Sequence, residues 1–262
     1  MEQNLSTRYQ WPLMRPLAPI IAALLTLLLR PNTGSAQSNA PTRFYQDGKV
    51  GYRADGRVLV PPTYDHGSMF TADLAVVVRN GKYGYINTEG RETIPLVYDD
   101  ASLFIDGLAR VAQNGRYGFI DPQGAWMIPA QYEQAFDFHD GLARVMIGGK
   151  WGFIDAQGAP RVPPVYEAAQ DLRDGLAAVR INGRWGFIDT TGHEVIPFKY
   201  DMAQPFSGGR CHVWRGDEVL VLDRNGRVLE RKEVQRGDGD EEEERERRAH
   251  RSAKRTATPP PR

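Results

Sequence analysis

The feature that most constrains this chain is a repeat of 34 residues. The segments "KYGYI", "RYGFI", "KWGFI" and "RWGFI" each place a glycine between two aromatic residues. Positions that keep this step are the glycines Gly84, Gly118, Gly152 and Gly186, the prolines Pro61, Pro95, Pro129, Pro163 and Pro197, and the tyrosines Tyr64, Tyr98, Tyr132, Tyr166 and Tyr200. One copy cannot bury its own apolar face, so the period predicts a tandem array with atypical end copies.

The local patterns within one copy are those of strands. Placing the glycines and prolines of a copy inside helices would cost roughly 10 kcal/mol, at about 1 kcal/mol per glycine and 3 per proline. Runs such as "LARVAQ" and "RYGFID" alternate with period two and are joined by "NG", a strong hairpin signal. "DPQG" and "DAQG" then suit type I turns. We therefore predict an all-β chain with about three short antiparallel strands and a loop of about ten residues per copy.

The glycine between the aromatic residues has a structural interpretation. On a strand, Trp151 and Phe153 point to one face, while Gly152 and Ile154 point to the other. A glycine inside a strand often marks the close approach of another chain segment. We expect a neighbouring backbone, or a ring such as that of Tyr166, to lie against Gly152.

These motifs resemble the bacterial WG-repeat family of β-repeat proteins. The resemblance rests on the four aromatic-glycine segments, the downstream "IP" and tyrosine, and the "DGLA" segments, and it covers roughly residues 49–230. It implies a repeat array, often on exported or envelope proteins, without a shared catalytic activity. The first and last copies depart from the pattern and lack its aromatic residues, which favours an elongated array. A closed, propeller-like ring is the alternative.

The two ends of the chain differ from the array. Residues 1–36 contain Arg8 and Arg15, an apolar run over 17–29 followed by Arg30, and the small residues Gly34, Ser35 and Ala36, as in a secretory signal peptide cleaved after Ala36. An uncleaved membrane anchor is the alternative, because Arg30 directly follows the apolar run. Residues 37–48 are expected to be a linker and 49–230 the array. Residues 231–262 carry an acidic block, a basic block and terminal prolines, so we expect a disordered charged tail. After cleavage, no integral membrane span is expected.

Possible catalytic and metal-binding residues do not form a convincing set in the sequence. The aspartates Asp121, Asp155 and Asp189 occupy one turn position in separate copies, which favours turn capping. The histidines fall at different phases of the repeat without metal-ligand spacing: His66, His139, His193, His212 and His250. Cys211 stands where other copies have alanine, which indicates a small buried position and therefore a buried thiol. We therefore predict no catalytic, cofactor-binding or metal-binding residues and no cofactor.

A recurring pair of basic and aromatic residues is a candidate binding stripe. Its members are Lys82, Arg116, Lys150 and Arg184 with Tyr83, Tyr117, Trp151 and Trp185. Such a stripe suits a polyanion or a sugar chain. However, residues 37–230 contain 20 Lys and Arg against 24 Asp and Glu, and this balance disfavours nucleic acid. Core aromatic residues flanked by hairpin cations are the preferred interpretation.

The predicted function is that of a non-enzymatic exported protein, periplasmic or at the cell surface. It would be a scaffold or binding module for an envelope protein, with recognition by loops that vary at fixed positions, such as "EQAFDFHDG" and "EAAQDLRDG". The alternative is a cell-wall or carbohydrate binder that uses the repeated Trp and Tyr rings. The two hypotheses differ in whether those rings are buried or exposed.

Overall fold

The computed structural model describes residues 40–233, and within them it contains 23 strands and no helix. None of these residues belongs to a helix long and apolar enough to cross a membrane. The expected signal peptide, residues 1–36, and nearly all of the expected tail, from residue 234 onward, lie outside the described residues. The all-β prediction is confirmed.

The strands form six antiparallel sheets that follow one another along the chain. The first sheet contains β1 (Thr42–Gln46), β2 (Lys49–Ala54) and β3 (Arg57–Tyr64). The second contains β4 (His66–Gly67), β5 (Leu74–Arg79), β6 (Lys82–Asn87) and β7 (Glu92–Tyr98). The third contains β8 (Asp100–Ala101), β9 (Ala109–Gln113), β10 (Arg116–Ile120) and β11 (Trp126–Tyr132). The fourth is β12 (Gln134–Ala135), β13 (Leu142–Ile147), β14 (Lys150–Asp155) and β15 (Pro160–Tyr166). The last two are β16 (Ala168–Ala169), β17 (Leu176–Ile181), β18 (Arg184–Asp189) and β19 (Glu194–Tyr200); then β20 (Met202–Ala203), β21 (Arg210–Arg215), β22 (Glu218–Asp223) and β23 (Val228–Glu233).

Two details differ from the sequence-based expectation. The loop of each copy contains a two-residue strand, so every sheet after the first has four strands rather than three. This strand is too short to show alternation in the sequence. The first strand, Thr42–Gln46, lies within the segment 37–48 that was expected to be a linker, and β23 continues to Glu233. The array therefore extends slightly beyond its expected limits at both ends.

The glycine of the aromatic motif faces a bulge in the third long strand of its own sheet. In the fourth sheet, Trp151 pairs with Tyr166 and Phe153 pairs with Val162, so three residues of β15 lie opposite Gly152 alone. A Cβ at Gly152 would lie 2.6 Å from the Val162 carbonyl oxygen and 2.7 Å from the nitrogen of Pro164. The expected backbone contact is confirmed, but the nearest atoms do not belong to Tyr166.

The hydrophobic core is a series of clusters between consecutive sheets. Each of the five clusters combines residues from two sheets that follow one another in the chain. Trp151 and Phe153 lie in the cluster between the fourth and fifth sheets, whereas Ile154 lies between the third and fourth. The two faces of a strand therefore serve two different interfaces, as the alternation predicted.

The array is open, because its two end faces are polar. In the interior, the alternating positions of Ala143, Val145 and Ile154 pack against the preceding sheet. The first sheet has exposed Thr42 and Arg53 at the positions of Ala143 and Ile154. At the other end, the outward face of the sixth sheet carries the ion pair between Arg210 and Glu230, 3.6 Å apart. Within residues 40–233, no core cluster or strand pairing joins the first and sixth sheets.

Candidate functional site

The three candidate aspartates cap separate turns. The Oδ1 atom of Asp121 accepts hydrogen bonds from the amides of Gln123 and Ala125 at 3.0 and 2.8 Å. Asp155 and Asp189 make the same two contacts with the residues two and four positions on. These carboxylates therefore do not converge, and the turn-capping interpretation agrees with the geometry.

The histidines and the cysteine are also dispersed. Among residues 40–233, no three His, Cys, Asp or Glu side chains are grouped so that they could hold a metal ion. His66 and His212 are exposed on β4 and β21, and His193 contacts Thr191 in a turn. His250 lies outside the described residues. Cys211 is buried between the fifth and sixth sheets, and this burial raises the pKa of its thiol to about 12.

The basic residues of the repeated stripe are mostly neutralised by carboxylates. Lys82 lies 2.6 Å from Asp99, and Arg116 lies 3.8 Å from Glu133. Arg184 pairs with Asp201. Lys150 is exposed and has no ion pair with any described residue. These cations therefore form structural links at the hairpins rather than a continuous positive surface.

The aromatic partners of these cations pack into the array. Trp151 is only 8% exposed and belongs to the core between the fourth and fifth sheets. Tyr83, Tyr117 and Trp185 are half-buried and pack against the cores of their own sheets. Ring faces that stack on sugars must be accessible, so this packing does not favour the glycan hypothesis.

The more distinctive surface is the short-strand edge, which we define as the two-residue strands β4, β8, β12, β16 and β20 with the loops that follow them. Polar side chains of one sheet reach the short strand of the next. Nη1 of Arg43 donates to the carbonyl of Gly67 at 2.9 Å, and Nη1 of Arg110 donates to that of Ala135 at 3.2 Å. Similar hydrogen bonds run from Arg144 to Ala169 and from Gln170 to Ala203. The short-strand edges of successive sheets therefore lie side by side.

A half-buried charged cluster occupies this edge at the fourth and fifth sheets. Nε of Arg144 lies 2.7 Å from Oδ1 of Asp171, and Nε2 of His139 lies 3.8 Å from Oδ2 of the same carboxylate. The guanidinium of Arg173 approaches His139 at 3.5 Å. The guanidinium of Arg144 also covers the ring of Phe136, 3.6 Å from its centroid. Burial lowers the pKa of Arg144, and the attraction of Asp171 opposes that shift.

At the first three sheets the same edge forms a groove of mixed polarity. A groove of about 460 Å³ lies there, with a lining made mainly by the second strands, the short strands and the residues that follow them. Its lining residues are Arg43, Tyr45, His66, Gly67, Ser68, Val76, Val78, Tyr83, Ala101, Ser102 and Leu103. Tyr45 is 64% exposed. One edge therefore offers a groove with the exposed ring of Tyr45 at one end and a charged cluster further along.

The sequence pointed to part of this site. His139, Asp171 and Arg173 lie in the two loops whose variable composition suggested recognition, "EQAFDFHDG" and "EAAQDLRDG". The contribution of Arg144 was missed: the preceding copy has Arg110 at the same strand position, but the next copy has Ala178 and an earlier one has Val76. The arginine that recurs at the 34-residue step, Arg110 and Arg144, was the available signal. Chemically, the cluster can bind polar groups by charge-assisted hydrogen bonds, and the groove can hold apolar side chains.

Comparison with known proteins identifies the repeat and the general fold. The family model described as "WG containing repeat" matches five consecutive segments, 53–83, 83–117, 117–151, 151–185 and 185–213. No curated protein matches the sequence.

Solved structures show only a distant likeness. A crystal structure of the eukaryotic initiation factor is similar at a TM-score of 0.50 and 9% identity, over 74% of this chain and 62% of that one. Kluyveromyces lactis Hsv2 with complete loop 6CD has a TM-score of 0.42 and 9% identity, over 62% of this chain and 59% of that one. A Bacteroides caccae protein of unknown function has a TM-score of 0.30 and 14% identity, over 71% of this chain and 90% of that one. The chain thus spans less than two thirds of the length of the first two, and at these identities the likeness concerns the fold alone.

Proposed function

The chain belongs to the WG containing repeat family, and from that premise we propose that it is an exported, non-enzymatic binding module for a protein of the bacterial envelope. The short-strand edge is the proposed binding surface. The observation that carries the proposal is the charged cluster, in which His139 and Asp171, from the loops after β12 and β16, meet Arg144 of β13.

The chemistry of this edge supports a protein partner. Protein interfaces combine a buried centre of aromatic residues and arginine with a polar rim. Arg144 and Phe136 have this character at the fourth sheet, and Arg173 lies exposed beside them. The scaffold keeps the loop positions constant while their side chains differ, which suits recognition of one partner rather than of a uniform polymer.

The binding proposal can be tested by charge reversal at one exposed residue. The full chain is immobilised and incubated with bacterial envelope proteins, and retained proteins are identified after a wash at moderate salt. Arg173→Glu should lose a discrete partner, because the exposed guanidinium is replaced by a carboxylate beside Asp171. The matched control is Arg161→Glu, an exposed arginine on β15 at the opposite edge of the fourth sheet, which should retain it.

Two results would contradict the proposed surface. Equal retention by both variants would place the binding site elsewhere. Sedimentation of the chain with isolated cell wall, lost in a folded Trp185→Ala variant, would support the glycan alternative instead.

Export rests on residues 1–36 of the sequence, which lie outside the described residues. Expression in a bacterial host followed by separation of the periplasm and N-terminal sequencing tests it. We expect a soluble periplasmic chain that begins at Gln37. A chain that keeps Met1 and stays in the cytoplasm would remove export from the proposal without touching the binding surface.

A further inference from the structure

The first sheet lacks the strand that completes every other sheet. Sheets two to six begin with a two-residue strand, whereas the first has the order β1-β2-β3. By its pairing with β2, β1 corresponds to the second strand of the later sheets. Within residues 40–233, no strand pairs with the other edge of β1.

The later sheets show which backbone groups this edge offers. In the fourth sheet, the amides of Glu133 and Phe136 donate to the carbonyls of Met146 and Arg144 at 3.0 and 3.1 Å. In the second sheet, the amides of Asp65 and Ser68 make the same contacts at 2.7 and 2.9 Å. The corresponding carbonyls of the first sheet belong to Tyr45 and Arg43. An edge with such free groups can bind a further strand.

The hairpin of the first sheet is also uncapped. In every later sheet, the carboxylate just before the short strand accepts a hydrogen bond from an amide of the hairpin turn. The contacts are Asn80 to Asp65, Gly115 to Asp99, Gly148 and Gly149 to Glu133, Gly183 to Glu167, and Gly216 to Asp201. The first hairpin turns at Asp47 and Gly48, both with positive φ. Among the described residues, no carboxylate from another segment accepts from these two amides.

The surroundings of the edge define the side chains that it can accept. The position two residues after the capping carboxylate is always small: Gly67, Ala101, Ala135, Ala169 or Ala203. The next position faces the opposite side of the sheet and is Ser68, Ser102, Phe136, Gln170 or Gln204. In the fourth sheet Phe136 lies there beneath Arg144. In the first sheet this side opens into the groove, where the exposed ring of Tyr45 offers an apolar contact beside Arg43.

We propose that the uncovered edge of β1 binds an extended segment of a protein partner, with the pattern acidic residue, any residue, small residue, apolar residue. The acidic side chain caps the amides of Asp47 and Gly48. The backbone pairs with β1, and the apolar side chain enters the groove. The inference rests on the proposed binding function and names the chemistry of the partner.

The chain itself supplies a probe. A labelled peptide that copies residues 132–138, "YEQAFDF", contains the pattern, and its binding to the full chain is measured by fluorescence anisotropy. We expect saturable binding. A peptide with Glu133→Gln should bind about tenfold more weakly, because a charge-assisted hydrogen bond is lost. A peptide with Ala135→Leu should not bind, because a large side chain prevents pairing.

Matched variants of the protein test the strand pairing. A backbone N–H and C=O of one residue face the same edge of a strand, so the amide of Tyr45 faces the free edge. Tyr45→Pro removes this amide and is tolerated at an edge position. It should abolish peptide binding with an unchanged melting temperature, whereas Tyr45→Val should keep most of the binding.

Three outcomes would overturn the inference. They are no binding by the full chain, equal binding by the Tyr45→Pro variant, and a stable dimer of the full chain that the peptide does not dissociate. If the envelope partner is still lost on Arg173→Glu, the binding function stands and only this docking site fails. If neither Arg173→Glu nor Tyr45→Pro changes capture of the envelope partner, both proposals fail.

Discussion

The fourth and sixth sheets differ at the position of the motif glycine, and the strand opposite differs with it. The fourth sheet has Gly152, and β15 bulges over it with Pro163 and Pro164. The sixth sheet has Leu220, and β23 pairs with β22 in regular register there, Leu220 with Arg231 and Val221 with Glu230. The comparison shows that glycine and bulge form one unit. Where leucine replaces glycine, the third long strand keeps a regular register opposite it.

The same comparison explains how the array ends. In the interior, the bulge brings a buried tyrosine such as Tyr166 opposite the aromatic residue of the motif. In the sixth sheet, Lys232 stands opposite Val219, and all of β23 is exposed. The end copy therefore loses the apolar contacts that would hold a seventh sheet, while its other face still packs on the fifth.

The strongest test of this unit is Gly152→Val. The new Cβ would meet backbone atoms at 2.6–2.9 Å, and backbone cannot move aside without loss of the bulge. We expect a loss of about 4 kcal/mol in the free energy of unfolding, measured by urea denaturation. Lys150→Ala, at an exposed neighbouring position, is the control and should change stability by less than about 0.5 kcal/mol. Equal stability of the two variants would show that the glycine is a mere spacer.

The converse test is Leu220→Ala in the sixth sheet. Leu220 is buried in the last core cluster, so its truncation leaves a cavity instead of relieving a clash. We expect a loss of about 3 kcal/mol. The buried thiol of Cys211 reports on the same cluster and should react faster with a thiol reagent in the variant. A stabilised protein would mean that the sixth sheet is a strained copy of the interior.

A milder substitution distinguishes the contribution of the proline from that of the glycine to the bulge. Pro197→Ala keeps Gly186 and therefore keeps the space for the bulge in the fifth sheet. The expected loss is about 0.5–1 kcal/mol, because alanine restores freedom to the unfolded chain. Urea denaturation beside the wild type measures it. A loss as large as that of Gly152→Val would show that proline, not glycine, creates the bulge.

The smallest expected effect concerns the hairpin caps that the first sheet lacks. The hydrogen bond from Lys82, with that from the Gly115 amide, holds the pKa of Asp99 below its ordinary value of 3.8. Its contribution is therefore present above about pH 3.8 and is lost as the pH falls through the lower folded pKa. Melting temperatures of Asp99→Asn and wild type should differ slightly at pH 7 and converge by pH 2. A difference independent of pH would contradict this role of the charge.

Much of this architecture could be predicted from the sequence, because the same residue pattern recurs in successive copies and each copy supports the same inference. The positions of Gly152, Pro163 and Tyr166 were enough for the strands, the stacking and the close backbone approach. The short strands were missed, since two residues carry no periodicity. The cluster of Arg144 with Asp171 was missed for another reason: it joins different sheets, and the distance between two loops depends on how the sheets stack.

The alternation of two unlike faces has a consequence for the evolution of the chain. Every interior sheet presents the same pair of surfaces, so duplication of one 34-residue unit inserts a module that fits both neighbours. Within residues 40–233, the two end sheets differ because polar residues occupy their outward faces, Arg53 at one end and Glu230 and Lys232 at the other. Addition or removal of one interior copy therefore requires no new type of interface, and the length of the array changes in steps of one sheet.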